Sequence, residues 1–396
     1  YAVITLVWIP LLYKLRLVSI YQYLQDRFGQ NSYLTGSGFF IVSQTIGASF
    51  RLFLAALVLQ IAFFDAFGIP FYVTVFVTIS LIWLYTFRGG IKTIVWTDTL
   101  QTTFLMLAVL ISIYMITDQM NLSAPDVVNV IAKSDMSTIF DWDWRSDRNF
   151  FKTFLAGIFI TIAMNGLDQN VMQKNLTIEK TSDAQKNIFW FSLTFFFSTM
   201  LFLALGVLLY KFAMDQGIEI PGSSDDLYPL LALNHFGVLA GIVFLLGIIA
   251  AAFSSADSAL TALTTSFCVD ILNIPKQKQE NQKRTRLLVH IGFTLLMFCV
   301  IIIFNEINDS SVVNSVFKVA GFTYGPLLGL FAFGLLSKIK VKDKFVPLVC
   351  IASPLISVLL DINSTVWFNG YKFGFEILLV NAAITCLGLF LLRKRG

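Results

Sequence analysis

Long apolar runs separated by short polar loops occupy nearly the whole chain. They lie at about 34–64, 70–87, 91–116, 150–164, 188–212, 237–272, 287–304, 312–336, 345–360 and 373–392. A helix needs about 20 predominantly apolar residues to cross the ~30 Å hydrocarbon core of a bilayer, so these runs predict membrane-spanning helices. Residues 1–12 are apolar but too few to span, and neither an initiating Met nor a signal peptide precedes them. The sequence therefore reads as starting partway through a helix, with an N-terminal piece missing; counting that partial helix gives about eleven spans. Residues 19–29 (SIYQYLQDRFG) form an amphipathic stretch, expected to be an interfacial helix. The loops at 121–149 and 216–236 have room for short surface helices, with Pro125 and Pro229 in first turns and Ser123 and Asp226 as caps.

Charge falls in alternate loops. One set carries Lys14 and Arg16; Arg88 and Lys92; Lys174, Lys180 and Lys186; Lys276, Lys278, Lys283, Arg284 and Arg286; Lys338, Lys340, Lys342 and Lys344; and Arg393, Lys394 and Arg395. The other carries Asp65, the acidic 118–147 region, 215–226, Glu306 with Asp309, and Asp361. The positive-inside rule makes the first set cytoplasmic and puts the C terminus inside; one missed span would break the alternation. Composition agrees: the 396 residues are 57% hydrophobic with 40 Phe, and 13% are charged against roughly 25% in soluble domains. The net charge of +4 matters less than its placement. Cys268, Cys299, Cys350 and Cys386 lie in or beside apolar runs without metal-ligand spacing, and His235 and His290 are far apart. Neither a disulfide framework nor a zinc or haem site follows. No nucleotide-binding loop is present, and Gly89-Gly90 reads as a turn.

Four polar clusters inside the apolar runs need explaining. Ser254, Asp257, Ser258, Thr261 and Thr265 share one helical face. Hydroxyls with a carboxylate at membrane depth offer a hard cation oxygen ligands and a compensating charge. Close helix packing and serine back-bonding are an alternative for Ser254 and Ser255 alone, but not for Asp257. Asp98, in Trp96-Thr97-Asp98-Thr99-Leu100-Gln101, either caps a helix start or supplies a second carboxylate to that stripe. Arg51, mid-run, either pairs with an acid such as Asp257 or Asp168, or recognises an anionic group on a solute. The stretch Asn165-Gly166-Leu167-Asp168-Gln169-Asn170 is either a cytoplasmic loop or a helix broken within the membrane, exposing backbone groups at a binding site. Residues 321–329 (GFTYGPLLG) read as a Pro/Gly-weakened helix.

The SSADS run at 254–258 followed by Cys268-Val269-Asp270-Ile271 resembles the sodium-binding helix of the sodium–solute symporter family, the sodium/glucose cotransporter family. The 89–92, 96–101 and 168–176 segments, the 19–29 stretch and Gly325-Pro326 resemble further motifs of it, in order along the chain. The resemblance implies an all-α polytopic membrane protein with the leucine-transporter inverted-repeat fold, one transporter domain lacking its first core helix. Residues 1–116 would be the remainder of the first repeat, 150–336 the second, and 345–396 additional helices. It implies a principal sodium site at Ser254, Ser255 and the Ala251 carbonyl, completed by a core helix lying before Tyr1. It implies a second at Asp257, Ser258 and Asp98, where an Asp at 257 favours another cation or a proton. Substrate contacts are expected at Arg51, Thr161, Met164, Asn165, Asp168, Gln169 and Gly321.

Met164, Asn165 and Gly321 stand where sugar-transporting relatives place aromatic or polar side chains, and Arg51 resembles the arginine that sialic-acid-transporting relatives use for a carboxylate. The expected activity is sodium-coupled import of a small organic anion such as sialic acid across the cell membrane. Neutral sugar, polyol or amino-acid symport is the alternative, and a transporter-like sensor or an intramembrane enzyme are readings of other classes. His290, at the start of an apolar helix, reads as interfacial rather than catalytic. The expected partners are the solute, one or two sodium ions and the bilayer, with no nucleic acid; a monomer would suffice.

Overall fold

The computed structural model describes residues 1–15, 17, 19–86, 91–274, 279–307 and 311–394, with side chains throughout except at 85, 86, 91–97, 252, 279 and 280. Expectations attached to Arg16, Arg88, Gly89, Gly90, Lys276, Lys278, Asp309 and Arg395, and to the side chains of Lys92, Trp96 and Thr97, lie outside the described residues. A π-helical turn, Ile4–Trp8, leads into α1 (Ile9–Leu15), followed by α2 (Gln22–Arg27), α3 (Gln30–Leu59), α4 (Phe71–Thr86), α5 (Ile91–Gln119), α6 (Ala124–Lys133), α7 (Phe150–Thr161) and α8 (Gln169–Leu176). Then come α9 (Thr181–Asp215), α10 (Leu227–Asn234), α11 (Val238–Ser266), α12 (Gln279–Ile307), α13 (Val312–Leu336), α14 (Val346–Ile362), α15 (Ser364–Trp367) and α16 (Ile377–Leu391).

Among the described residues, seven helices are long and apolar enough to cross a membrane, an eighth span is a bent pair, and three shorter apolar helices complete the set. These match the apolar runs one for one. The helices outrun the runs at their polar ends: α9 starts at Thr181 and α12 at Gln279, because backbone bonding continues where apolarity stops.

The packing is inverted relative to a soluble protein. On α9 the exposed face carries Phe189, Trp190, Phe191, Phe195, Phe196 and Phe197, whereas α3 buries Ser32, Ser37, Ser43, Gln44, Thr45 and Ser49. Lipid tails solvate phenylalanine as well as a protein core does, so small and polar side chains are left to face other helices. α11 packs chiefly on α5 and α3, and α13 on α16 and α3, which makes α3 the element common to both.

At two of the places where helices depart from regular bonding, the freed backbone groups are caught by named side chains. α7 ends in a π turn at Ile162–Gly166 and bends 60° into α8. The Trp8 indole donates to the Gly166 carbonyl and the Tyr21 hydroxyl to the Leu167 carbonyl, 2.9 Å away. The segment is thus a broken helix, not a loop. α13 instead stays continuous across Pro326. Proline has no N–H for the carbonyl four residues back, and Asn381 of α16 donates to that Phe322 carbonyl at 2.8 Å and to Gly321 at 3.1 Å. Gly325 makes room: a Cβ there would lie 2.3 Å from the Asn381 amide.

The apolar face of the 19–29 stretch, expected to lie on lipid, is covered by protein: Ile20, Tyr21 and Leu24 are fully buried against the broken helix, α3 and α13. His290 is also buried, 3.1 Å from the Thr264 hydroxyl. Asp226 makes no side-chain cap to α10; Ser223 instead accepts from the Asp225 amide. The α6 start forms as expected, with Ser123 and Asp126 in a reciprocal capping box and Pro125 in the first turn. Hydrogen bonds from the Ser123 hydroxyl and amide hold the Asp126 carboxyl below the ordinary carboxylate range.

Replacing Asn381 by Leu leaves the Phe322 carbonyl, which Pro326 cannot serve, without its donor in a buried interface, which costs ~1–3 kcal/mol. Thermal unfolding of the purified protein in detergent is expected to show a clearly lower midpoint for Asn381→Leu; an unchanged midpoint would contradict this role.

Candidate functional site

A cavity of about 820 Å³ opens among α3, α5, the α7–α8 break, α11 and α13. Its wall gathers polar side chains that lie far apart in sequence. α3 presents Ser43, Gln44 and Arg51; Gln44, Gly47 and Arg51 are spaced i, i+3, i+7 and so share a face. The broken helix contributes Thr161, Met164, Asn165 and Asp168, and α13 contributes Tyr324.

The α11 turn at Ser254–Ser258 is where the helices meet. The Ser254 hydroxyl donates to Asp98 Oδ1 of α5. The Ser255 hydroxyl accepts from Arg51 Nε of α3 at 2.8 Å. The Ser258 hydroxyl accepts from Lys174 Nζ of α8 at 3.1 Å, and the same ammonium sits 3.0 Å from Asp98 Oδ2. Three serines on adjacent turns therefore engage three helices. Asp98 stands in the third turn of α5, which begins at Ile91, so it is no helix cap.

Asp168 is spent on structure. Its Oδ1 accepts from the Asn170 and Val171 amides at 2.8 and 3.3 Å, capping α8, and its Oδ2 accepts from the Tyr324 hydroxyl at 2.7 Å. It thereby ties the break to α13 and does not pair with Arg51. Among the described residues no carboxylate lies within ion-pair distance of Arg51, although burial in a bilayer would call for one. Its terminal nitrogens are left facing the cavity, near Gly47. The Gln44 side-chain amide nitrogen, in the same wall, is buried with no hydrogen-bond partner.

Several expected residues stand elsewhere. Gln169 is buried and accepts from the Ile20 amide at 2.9 Å, turned toward α2 and not the cavity. Gly321 faces α16, where a Cβ would meet Ile377 at 2.8 Å; its neighbour Ala320 lines the cavity instead. Asp257 is buried at 2% exposure but is not in the cavity wall, and Thr265 is exposed, so the stripe does not run as one line. Of the α11 set, Ser254, Ser255 and Ser258 line the cavity; Ala251 precedes them by one turn and does not. Lys174, read as a loop residue, and Tyr324 and Gln44 were missed. Only Gln44 carried a signal, its helical spacing from Arg51.

No group of three or more His, Cys, Asp or Glu side chains among the described residues could hold a metal ion. The serine turn offers hydroxyl, carbonyl and carboxylate oxygens, which suit an alkali cation carried as cargo.

The family model of the sodium:solute symporters matches residues 1–341. The chain belongs to that family. It is 24% identical over 91% of its length to the sodium/sialic acid symporter NanT of Aliivibrio fischeri, covering 70% of that protein. It is 24% identical over 84% of its length to the sodium/sialic acid symporter SiaT of Proteus mirabilis, covering 67% of it. All of the chain superposes on 82% of a substrate-bound, outward-open Na+-coupled sialic acid symporter, with a TM-score of 0.82 at 19% identity. That likeness gives the fold, the leucine-transporter type. Family membership makes the chain a multi-pass transporter that couples solute to sodium, not an enzyme.

If Asp168 positions the symporter's broken helix through its cap, Asp168→Asn keeps an acceptor for the α8 amides while Asp168→Ala does not. Loss of a cap costs about 1 kcal/mol. Thermal stability is expected to fall more for Asp168→Ala than for Asp168→Asn; equal losses would contradict the cap.

Proposed function

We propose that this chain imports a small organic anion, an acidic sugar of the sialic acid class, together with sodium across the cell membrane, with its C terminus in the cytoplasm. One observation carries the substrate reading. Arg51 reaches the cavity from mid-membrane, its Nε held by Ser255 and its remaining nitrogens without a carboxylate among the described residues. A guanidinium fork matches a carboxylate bidentately, and a half-buried arginine within an apolar span, lacking a protein counter-ion among the described residues, is completed by an anionic ligand. The unpartnered Gln44 amide nitrogen supplies a second donor to the same solute. The cavity volume suits a ligand of sugar-acid size, since small-molecule sites run to ~300–1,000 Å³. The two relatives named for sodium and sialic acid point the same way.

Sodium is assigned to the oxygens of the Ala251–Ser255 turn, with Ser254 and Ser255 as side-chain ligands. Ser255 then touches both the arginine that holds the anion and the cation. Each cargo neutralises charge or satisfies lone pairs beside the other, so their binding is coupled through one hydroxyl. Residues 1–116 and 150–336 are assigned to the two halves whose relative motion alternates access, with the α7–α8 break and α11 at the shared site. The alternation of basic and acidic loops supports the cytoplasmic C terminus.

The test is uptake by the full-length protein in proteoliposomes of labelled sialic acid, other organic acids, neutral sugars, inositol and amino acids, with and without a sodium gradient. Sodium-driven uptake of an acid is expected. Arg51→Ala weakens it by about 10- to 150-fold, the worth of hydrogen bonds to a charged group, and Arg51→Lys does not restore it. Sodium-driven uptake of a neutral solute, unaffected at Arg51, would overturn the anion assignment while leaving symport intact. Separately, Ser254→Ala is expected to raise the sodium concentration for half-maximal uptake about tenfold, a change of ~1.4 kcal/mol; unchanged uptake at limiting sodium would contradict the ion site.

A further inference from the structure

Residues 338–342 read Lys-Ile-Lys-Val-Lys, an alternation that an extended chain sorts into two faces. Val341 is buried and Ile339 packs against the same core, whereas Lys338, Lys340 and Lys342 are exposed. The segment that follows α16 runs beside them. Val341 and Arg393 form an antiparallel bridge, flanked by hydrogen bonds from the Lys342 amide to the Leu392 carbonyl and from the Lys394 amide to the Lys340 carbonyl, both 2.9 Å. In that register Lys340 stands directly across from Lys394. Like charges directly opposite on paired strands are destabilising, and the chain holds them there.

No acid among the described residues offsets this patch. Lys338, Lys340, Lys342, Lys344, Arg393 and Lys394 are in no ion pair. Asp343, in their midst, is spent on the start of α3. Its Oδ1 accepts from the Ser32 amide and hydroxyl at 2.9 and 2.6 Å, and its Oδ2 from the Asn31 amide and side chain at 2.9 Å. The backbone beneath is pinned as well: the Arg27 guanidinium donates to the Gly334, Ser337 and Ile339 carbonyls at 3.2, 2.7 and 3.0 Å. The cations are thus gathered on a fixed ribbon, not strewn along a loose loop.

The ribbon also sits where lipid begins. It joins the end of α13 to the start of α14 and meets the end of α16, all apolar helices. Leu336 and Leu391, the last residues of α13 and α16, are 88% and 82% exposed. Apolar side chains open to acyl chains beside unpaired cations match the two parts of a phospholipid, and basic clusters at the ends of spans attract anionic headgroups.

We propose that the ribbon of residues 338–344 and 392–394 binds the headgroup phosphate of an anionic phospholipid, which lies between Lys340 and Lys394 and relieves their repulsion. The inference goes beyond the transport reading and depends on neither solute nor sodium. The bound lipid clasps the end of α16 to that of α13, the helix that brings Tyr324 to the cavity.

The experiment measures thermal unfolding of the full-length protein in a non-ionic detergent with rising mole fractions of dioleoylphosphatidylglycerol or dioleoylphosphatidylcholine. The glycerol lipid is expected to raise the wild-type midpoint and the choline lipid not to. In the triple variant Lys340→Gln, Lys342→Gln, Lys394→Gln the rise is expected to need at least about tenfold more of the glycerol lipid. Removing the same charge from other basic loops, as Lys180→Gln, Lys283→Gln, Arg284→Gln, is expected to leave the wild-type response. Equal losses in the two triple variants would mean diffuse attraction and overturn the site. So would the absence of a rise in the wild type, or a triple variant destabilised by the same amount in both lipids, the mark of a purely structural role. Inorganic phosphate alone is expected to do nothing; a matching rise would make the ribbon a free-anion site and overturn the lipid. Should the first triple variant not fold, Lys394→Gln alone carries the same comparison.

Discussion

The hydroxyls of Ser254, Ser255 and Ser258 are each engaged by a charged side chain from a different helix, Asp98 from α5, Arg51 from α3 and Lys174 from α8. Much of the rest of the fold depends on that turn. Charged groups at membrane depth are costly unless they face one another or water, so the helices bearing them converge on the same cavity. α11 packs most extensively on α5 and α3, the helices that carry Asp98 and Arg51. The turn is also the one place where the arginine assigned to the anion and the oxygens assigned to sodium share an atom.

Around this centre the bilayer sets a second rule, that no backbone polar group goes unpaired. Where the chain breaks regularity beside the cavity, the breaks at the α7–α8 bend and at Pro326 have dedicated partners. Trp8 and Tyr21 take the carbonyls at the α7–α8 bend, Asp168 takes the first amides of α8, and Asn381 takes the carbonyl that Pro326 releases. Asp168 and Tyr324 then join the two irregular elements across the cavity.

The span pattern and the broken helix were legible because they follow from apolarity and from runs of polar or glycine residues, which sequence displays directly. The pairing of Asp98 with the serine turn was one of two readings the sequence left open, the other being a helix cap. Long-range partners were not legible. Lys174 sits in a segment with the composition of a cytoplasmic loop, and nothing local says that the 60° bend carries it back to Ser258. Gln169 and Gly321 match family positions in the sequence, yet their neighbours Ile20 and Ile377 decide which way they face. The amphipathic 19–29 stretch has the same pattern whether lipid or protein covers it. The buried Tyr21 shows that protein does.

The most direct test of the shared hydroxyl is thermodynamic reciprocity between the two cargoes. Sodium affinity of the purified full-length protein would be measured by calorimetry with and without saturating N-acetylneuraminic acid. Coupling through Ser255 predicts that the acid tightens sodium binding by about 5- to 150-fold, the usual range for linked sites, and that sodium tightens the acid by the same factor. Sodium affinity unchanged by the acid would contradict the account.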